Sequence, residues 1–191
     1  GSSTSTLSWV LNAYNVVFAA LLVAGGRLAD LLGRRRVFVT GVAVFTLASV
    51  LCATAGSVEM LIFWRLLQAV GAALLVPASL GVVIHAASEE KRAHAVAMWG
   101  ATAALAAGLG PPIGGMIIAA SGWRLAFLVN LPLGIAAIAL GLKMVDESRS
   151  PGRRKLPDLA GVAVLAAALA LLSLAIVKGP DWSWSSPRTA A

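Results

Sequence analysis

The chain has 191 residues, of which 59% are hydrophobic and only 12% are charged, and its net charge is +7. Soluble domains are about half apolar and about one quarter charged, and so short a chain has too little interior to bury the excess, which excludes an ordinary soluble domain. The single cysteine, Cys52, excludes a disulfide framework and a thiolate metal cluster. We therefore expect lipid to be the solvent of this chain.

Both ends of the sequence have the character of cuts through a longer chain. The start, Gly1-Ser2-Ser3-Thr4, has no initiator methionine and no basic segment, so it does not predict a signal peptide. The last residues, 187–191, predict no folded terminal element. We therefore expect a fragment of a longer protein.

Six stretches are apolar and long enough to cross a bilayer as helices, each of which needs about 20 residues. They are 9–28, 37–54, 60–84, 95–120, 124–145 and 159–177. Strands are not expected, because the alanine- and leucine-rich runs are too long and do not alternate in polarity. The predicted fold class is an all-α polytopic membrane protein with six transmembrane helices.

The basic residues predict how these helices are oriented, because they collect in alternate loops. One set of loops holds Arg34, Arg35, Arg36, Lys91, Arg92, Lys143, Arg149, Arg153, Arg154 and Lys155. The loops between them hold no base at 57–59 and one at 121–124. Since Lys and Arg favour the cytoplasmic side, we expect the basic loops in the cytoplasm of a bacterial inner-membrane protein and both ends of the segment outside. The charge is then a topology signal, and we expect no nucleic-acid partner.

The longest loop, 143–158, divides the chain into unequal parts. It is rich in serine, proline and glycine among its charges, which is typical of a flexible linker. We therefore expect a first unit over 1–142, a cytoplasmic linker over 143–158, an extra transmembrane helix over 159–178 and an outer loop over 179–191. Gly179 and Pro180 predict the helix stop, and Trp182 and Trp184 predict a position at the membrane interface.

A first group of candidate functional residues lies between the first two stretches. Gly26, Asp30 and Gly33 recur at i, i+4 and i+7, so they are predicted to share one helix face at the cytoplasmic boundary. A glycine there permits close approach of a neighbouring helix. Asp30 is placed to pair with Arg34 or Arg35, or to cap the next helix.

A second group centres on Arg65, which lies inside the third stretch and away from the basic loops. A charge within the hydrocarbon costs at least about 2.5–3.5 kcal/mol, so Arg65 is expected to face the bundle or a water-filled path. Gln68 follows at i+3, on nearly the same helix face. The alternative is that Arg65 extends along its aliphatic stem to the outer interface.

The fourth stretch carries two ridges of small residues at i+4 spacing. One ridge contains Gly100, Ala104, Gly108 and Pro112, and the other contains Ala103, Ala107, Pro111 and Gly115. Small residues let helix backbones pack closely, and the prolines remove two backbone donors and bend the helix. A kinked packing helix without chemistry is the alternative.

Together these motifs resemble those of the major facilitator superfamily, and above all its fourteen-span drug:proton antiporters. The run at 26–35 resembles the G-x-L-A-D-R-x-G-R loop signature, Arg65 and Gln68 resemble an R-x-x-Q motif implicated in proton coupling, and 110–115 resembles a G-P-x-x-G-G antiporter motif. The resemblance implies a partial bundle corresponding to about the second to seventh spans. It also implies three functional groups: an inner gate of Gly26, Asp30, Gly33, Arg34 and Arg35; a proton-coupling pair of Arg65 and Gln68; and an antiporter motif of Gly108, Gly110, Pro111, Gly114 and Gly115.

Four further polar residues within the apolar stretches are candidates for a substrate path: Asn12, Tyr14, Asn15 and Asn130. For each amide, a hydrogen bond between helices is the alternative. The positions of these residues in the sequence do not distinguish contact with a substrate from a hydrogen bond between helices.

The interpretation that follows is a fragment of a secondary transporter that exports drugs or other small amphipathic molecules by alternating access. No grouping of catalytic residues points to an enzyme, no metal site is expected, and a proton gradient rather than a cofactor supplies the driving force. The expected partners are the lipid bilayer, a small-molecule substrate, protons and the missing remainder of the same chain. Because no acid lies deep inside the six stretches, we expect this segment alone not to transport. The alternatives are a superfamily permease for a metabolite or sugar, and a non-transporting membrane interaction protein or half-size remnant.

Overall fold

The computed structural model describes residues 4–149 and 158–182, with side chains described from residue 12 onward except for several in the last helix. Within these ranges the secondary structure is helical and contains no strand, which confirms the predicted all-α class. The helices are α1 (Thr4–Leu32), α2 (Arg34–Ala53), α3 (Val58–Ala86), α4 (Arg92–Ser121), α5 (Trp123–Leu128), α6 (Asn130–Met144) and α7 (Leu159–Trp182). A single 3-10 turn, Glu89–Lys91, precedes α4.

Five spans in the described part of the chain are long and apolar enough to cross a membrane, the fifth being formed by α5 and α6 together. These five correspond to the first five predicted stretches. In α7 the apolar part that can be described, Ala160–Leu172, is shorter than a span, so the sixth transmembrane helix stays a prediction.

The predicted helix stop at Gly179 and Pro180 is wrong, because α7 continues to Trp182. In an apolar solvent an unpaired backbone group is so costly that a helix tolerates a proline rather than ending at it. The predicted outer loop beyond residue 182 and half of the predicted linker, residues 150–157, lie outside the described residues.

The fifth predicted span is interrupted, since α5 ends at Leu128 and α6 begins at Asn130. Pro132 follows directly in the first turn of α6. A proline has no N–H to donate to the carbonyl four residues earlier, here that of Leu128, and its ring crowds that carbonyl. Pro132 therefore favours a break at Val129, although α4 continues through Pro111 and Pro112.

The core of the molecule is the packing of α1, α2 and α3, which glycines make close. A Cβ atom added at Gly25 would overlap the backbone carbonyl of Ala73, and one added at Gly71 would lie 2.5 Å from the backbone nitrogen of Phe45. Gly41 packs against the same turn of α3. Small residues at helix crossings are typical of bundles in lipid, where packing rather than expulsion of water holds helices together.

The outer helices keep their apolar side chains exposed. No residue of α4 is buried, although the indole nitrogen of Trp99 donates a 3.1 Å hydrogen bond to the hydroxyl of Ser79 on α3. Leu105, Leu109 and Met116 on α4 are each more than half exposed. Such a surface requires an apolar environment, which lipid or further protein supplies.

Candidate functional site

A cluster of polar side chains lies inside the bundle and joins four helices. It consists of Tyr14 on α1, Ser49 on α2, Arg65 and Gln68 on α3, and Asn130 on α6, and we call it the polar cluster. Four of these five residues are ones that the sequence predicts as functional.

Arg65 points into the bundle. Its Nη1 atom donates a 2.6 Å hydrogen bond to Oε1 of Gln68, and its guanidinium lies 4.0 Å from the centroid of the Tyr14 ring. The Cζ atom of Arg65 also lies 6.0 Å from the centroid of the Phe127 ring. The structure therefore favours a charge that faces the bundle over one that extends to the interface. The amide and the face of the tyrosine ring partly replace the hydration that the cation loses.

Tyr14 also contacts a second aromatic ring on its own helix. Its ring stacks on Phe18, one helical turn further along α1, with centroids 6.0 Å apart and an angle of 10° between the ring planes. This stacking favours the ring orientation in which Arg65 lies over Tyr14. The cation therefore lies against a ring that itself packs on a second aromatic side chain.

Gln68 and Ser49 form the buried centre of the cluster. Gln68 is 1% exposed and Ser49 is fully buried. The Gln68 Nε2 atom donates to the Ser49 hydroxyl oxygen over 2.7 Å, and that hydroxyl donates to the backbone carbonyl of Phe45 over 2.8 Å. Asn130 donates a longer bond of 3.3 Å to the same hydroxyl oxygen. A continuous chain of hydrogen bonds thus links α2, α3 and α6.

Ser49 was not among the residues that the sequence predicts. A lone serine in an apolar helix usually bonds to the carbonyl four residues earlier, as Ser49 does with Phe45, and it then carries no pattern of its own. The only usable signal was that a polar residue lay within the second apolar stretch.

Two predicted members of the substrate path are not brought into the cluster by the described contacts. Asn12 is half-buried and Asn15 is exposed. Asn130 forms the inter-helix hydrogen bond that was the alternative to substrate contact. The transport roles of these residues remain predictions.

The inner-gate residues lie where α1 meets α2, at what we call the basic end of the bundle after Arg34, Arg35 and Arg36. Nη2 of Arg34 forms a 3.0 Å ion pair with Asp30, as one of the predicted alternatives requires. Gly33 does not continue the face of α1, because it lies between the two helices with a φ of 116°. Only glycine adopts that conformation without strain. The close approach predicted at Gly26 occurs instead at its neighbour Gly25.

The beginning of the predicted linker packs on this end of the bundle. Glu147 accepts the backbone N–H groups of Arg35 and Arg36 with its two carboxylate oxygens, at 3.2 and 3.3 Å, and Ser148 accepts that of Arg34 through its carbonyl at 2.9 Å. The first turn of α2 therefore obtains its capping acceptors from residues after α6. A negative charge is also favourable at a helix N-terminus. Glu147 and Ser148 thus bind to the start of α2.

The antiporter motif lies in the middle and second half of α4. The helix continues through Pro111 and Pro112. A Cβ atom added at Gly108, Gly110, Gly114 or Gly115 would meet nothing within 4 Å. Within the described chain these glycines therefore have no helix packed on them, and the predicted close packing is not tested by it.

The described side chains hold no group of three His, Cys, Asp or Glu residues placed to bind a metal ion. The acids whose side chains are described also lie outside the polar cluster. What the cluster offers is a cation and several neutral donors and acceptors within the bundle. This set can bind and orient polar groups or influence a nearby proton, but it contains no nucleophile with an adjacent base.

Comparisons with known proteins give one family and a consistent fold. The sequence matches the Major Facilitator Superfamily over residues 1–186. Its relatives include the methylenomycin A resistance protein of Bacillus subtilis, 40% identical over 97% of this chain and 40% of that protein. They also include the tetracenomycin C resistance and export protein of Streptomyces glaucescens, 31% identical over 98% of this chain and 35% of that protein. The chain therefore spans well under half the length of these relatives.

A solved structure supports the fold alone. The crystal structure of a peptide transporter, POT, superposes on the whole of this chain and on 41% of that protein with a TM-score of 0.70, at 18% sequence identity. The helices described above are thus arranged as in part of a larger transporter.

Proposed function

Because the chain belongs to the Major Facilitator Superfamily, we propose that it is a segment of a secondary transporter that exports drugs or other small amphipathic molecules in exchange for protons. The two relatives described above are named for resistance to antibiotics, and one of them also for export. Family membership and the five apolar helices make the chain an integral membrane protein. They give no support to an enzyme.

The observation that carries the proposal is Arg65, held within the bundle by Gln68 and Tyr14. A permanent cation inside a membrane bundle is costly, so its presence indicates a role in moving charge or in holding a charged group. Because Arg65 stays charged, it favours the ionised form of an acid that comes close and the release of its proton. We propose that this is how Arg65 contributes to proton coupling, with no cofactor and with the proton gradient as the driving force.

Alternating access requires a second set of helices against which this one rocks. We propose that the remainder of a longer chain supplies these helices, and that lipid surrounds the bundle. The Asp30–Arg34 ion pair at the basic end is then a latch of the inner gate, and the glycines of α4 form part of a seam with the other half.

We further propose that the bundle lies in the bacterial inner membrane with the basic end in the cytoplasm, in accordance with the positive charges there. This orientation is tested by placing single cysteines in a Cys52→Ala background, at Ser88 and at Gly56, which lie in successive loops. Labelling of intact cells by an impermeant maleimide is expected at Gly56→Cys only. The opposite pattern would reverse the orientation.

The export function is tested in cells that express the complete transporter carrying this segment and that are loaded with ethidium. The Arg65→Ala variant is expected to lose energised dye efflux, by about tenfold or more, because the cation is lost from the bundle. Arg92→Ala, at the exposed first residue of α4, is the control and should export normally. Efflux that is equal with and without Arg65 would refute the proposed role.

The same assay separates the alternatives. A permease for a metabolite or sugar would accumulate its substrate and leave ethidium efflux unchanged on expression. A non-transporting remnant would move neither. Either result would replace the export proposal.

A further inference from the structure

We propose that Ser49 is a positioning residue that fixes the direction of the Gln68 amide and thereby holds Arg65 in its place over Tyr14. This inference rests on the proposed function only in assigning Arg65 to proton coupling. The geometry itself is independent of that role.

The Ser49 hydroxyl donates to Phe45 and acts as an acceptor towards Gln68. A serine hydroxyl has one hydrogen to donate and accepts through its lone pairs. Its oxygen lies 2.8 Å from the backbone carbonyl of Phe45, which can only accept, so the hydrogen points to that carbonyl. Towards every other neighbour Ser49 is therefore an acceptor.

The orientation of the Gln68 amide is set by Ser49 on one side and Arg65 on the other. The amide has a donating end and an accepting end, and which way it points is set by the hydrogen bonds around it. The atom that faces Ser49 over 2.7 Å must be the NH₂ group, because Ser49 accepts there. The carbonyl oxygen is then directed to Arg65, whose Nη1 atom lies 2.6 Å from it.

Removal of the Ser49 hydroxyl affects both Gln68 and Arg65. Arg65 has only donors, so an inverted Gln68 amide would place NH₂ hydrogens against the guanidinium. At the fully buried position of Ser49, Ser49→Ala leaves the Gln68 amide without its acceptor and Asn130 without the oxygen to which it donates. Gln68 then has no bond to α2 that fixes its side chain, so its NH₂ group shifts toward another acceptor and draws the carbonyl oxygen away from Arg65.

The neighbouring residue Thr46 provides a matched control on the same helix. Its side chain is also buried, but its hydroxyl has no hydrogen-bond partner among the described residues. Thr46→Val removes a buried hydroxyl and keeps the shape of the side chain. It should leave the polar cluster as it is.

The test uses the complete transporter reconstituted in proteoliposomes, with ethidium transport measured over a series of imposed pH gradients. We expect Ser49→Ala to lower the gradient-driven rate by roughly three- to tenfold, the equivalent of one buried hydrogen bond. Equilibrium binding of ethidium without a gradient is expected to stay within about twofold of the unchanged protein. Thr46→Val should resemble the unchanged protein in both measurements, and Ser49→Thr, which keeps the hydroxyl, should restore most of the rate.

The outcomes separate this inference from the proposed function. If Arg65→Ala loses the response to the gradient and Ser49→Ala keeps it, Ser49 does not position Arg65 and the inference is overturned. Failure of Ser49→Thr to restore the rate, in a protein that unfolds at the normal temperature, would also overturn it. If Arg65→Ala itself keeps the response, it is the proposed coupling role that fails. Should Ser49→Ala not insert into the membrane, Ser49→Cys gives the same comparison, since its thiol is a poor acceptor in a side chain of similar size.

Discussion

The first turn of α2 depends on an acid that lies 112 residues further along the chain. Gly33 precedes the helix and has no side chain with which to cap it, so Glu147 supplies both oxygens that accept the next free amides. The same carboxylate also forms a 3.5 Å ion pair with Arg36. Because Arg36 is largely exposed, we attribute the stabilisation to the cap rather than to this ion pair.

Glu147→Ala is therefore expected to loosen the first turn of α2 by about 1 kcal/mol, the usual effect of losing a helix cap. Hydrogen exchange of the amides of Arg35 and Arg36 should become roughly five- to tenfold faster, because this turn then opens more often. Asp146→Ala is the control, since Asp146 is an exposed acid next to Glu147 in the chain. Equal exchange rates in the two variants would show that Glu147 does not cap the helix.

At this scale the sequence predicts side chains that are unusual where they stand, and it misses those that are ordinary. Arg65 is predicted because a charge in an apolar run needs an explanation, and Asp30 because arginines follow it at helical spacing. Ser49 lies in an apolar helix and Glu147 lies in a charged loop, and neither residue type is unusual at such a position. Their roles depend on which helices meet, which no local pattern specifies.

The crossing of α1 and α3 shows how a single Cβ atom determines whether two helices can meet. Gly25 faces the backbone of Ala73, whereas a Cβ added at Gly26 would make an ordinary 3.4 Å contact with Pro77. These two adjacent glycines on one helix are thus expected to differ sharply in what they tolerate.

Gly25→Ala is expected to lower the free energy of unfolding by about 1–3 kcal/mol, because the backbones must move apart. Gly26→Ala is expected to be neutral, or to stabilise by up to about 1 kcal/mol, because alanine favours a helix. The midpoint of thermal unfolding in detergent gives the comparison. If Gly26→Ala is the more damaging of the two, the crossing described here is wrong.

The length of an apolar run predicts the presence of a helix better than it predicts where that helix is interrupted. The first five apolar stretches were found as candidate spans because lipid leaves the backbone few alternatives to a helix. The interruption at Val129 and the continuation through Pro180 both involve proline, whose effect depends on how the surroundings compensate for the missing N–H. The glycines that form helix crossings could not be selected from the 19 in the chain without knowing the packing.

On the scale of the whole molecule, the bundle is packed on one side and open on the other. The helices α1, α2 and α3 bury the polar cluster between them and α6, while α4 leaves its apolar side chains and its glycine motif uncovered. A chain that spans 35–40% of its relatives' length is expected to present such a face to the rest of the transporter. We therefore propose that the polar cluster interacts with the transported charge, and that the open face of α4 moves against the rest of the transporter.

The measurement that tests this account most directly is proton movement driven by the drug. The complete transporter is reconstituted in vesicles that contain a pH-sensitive dye, without any imposed gradient, and ethidium is added outside. We predict that entry of ethidium drives protons out, so that the vesicle interior becomes more alkaline, and that Arg65→Ala abolishes this change while Arg92→Ala does not. Ethidium transport that proceeds with no change of internal pH would contradict proton-coupled export.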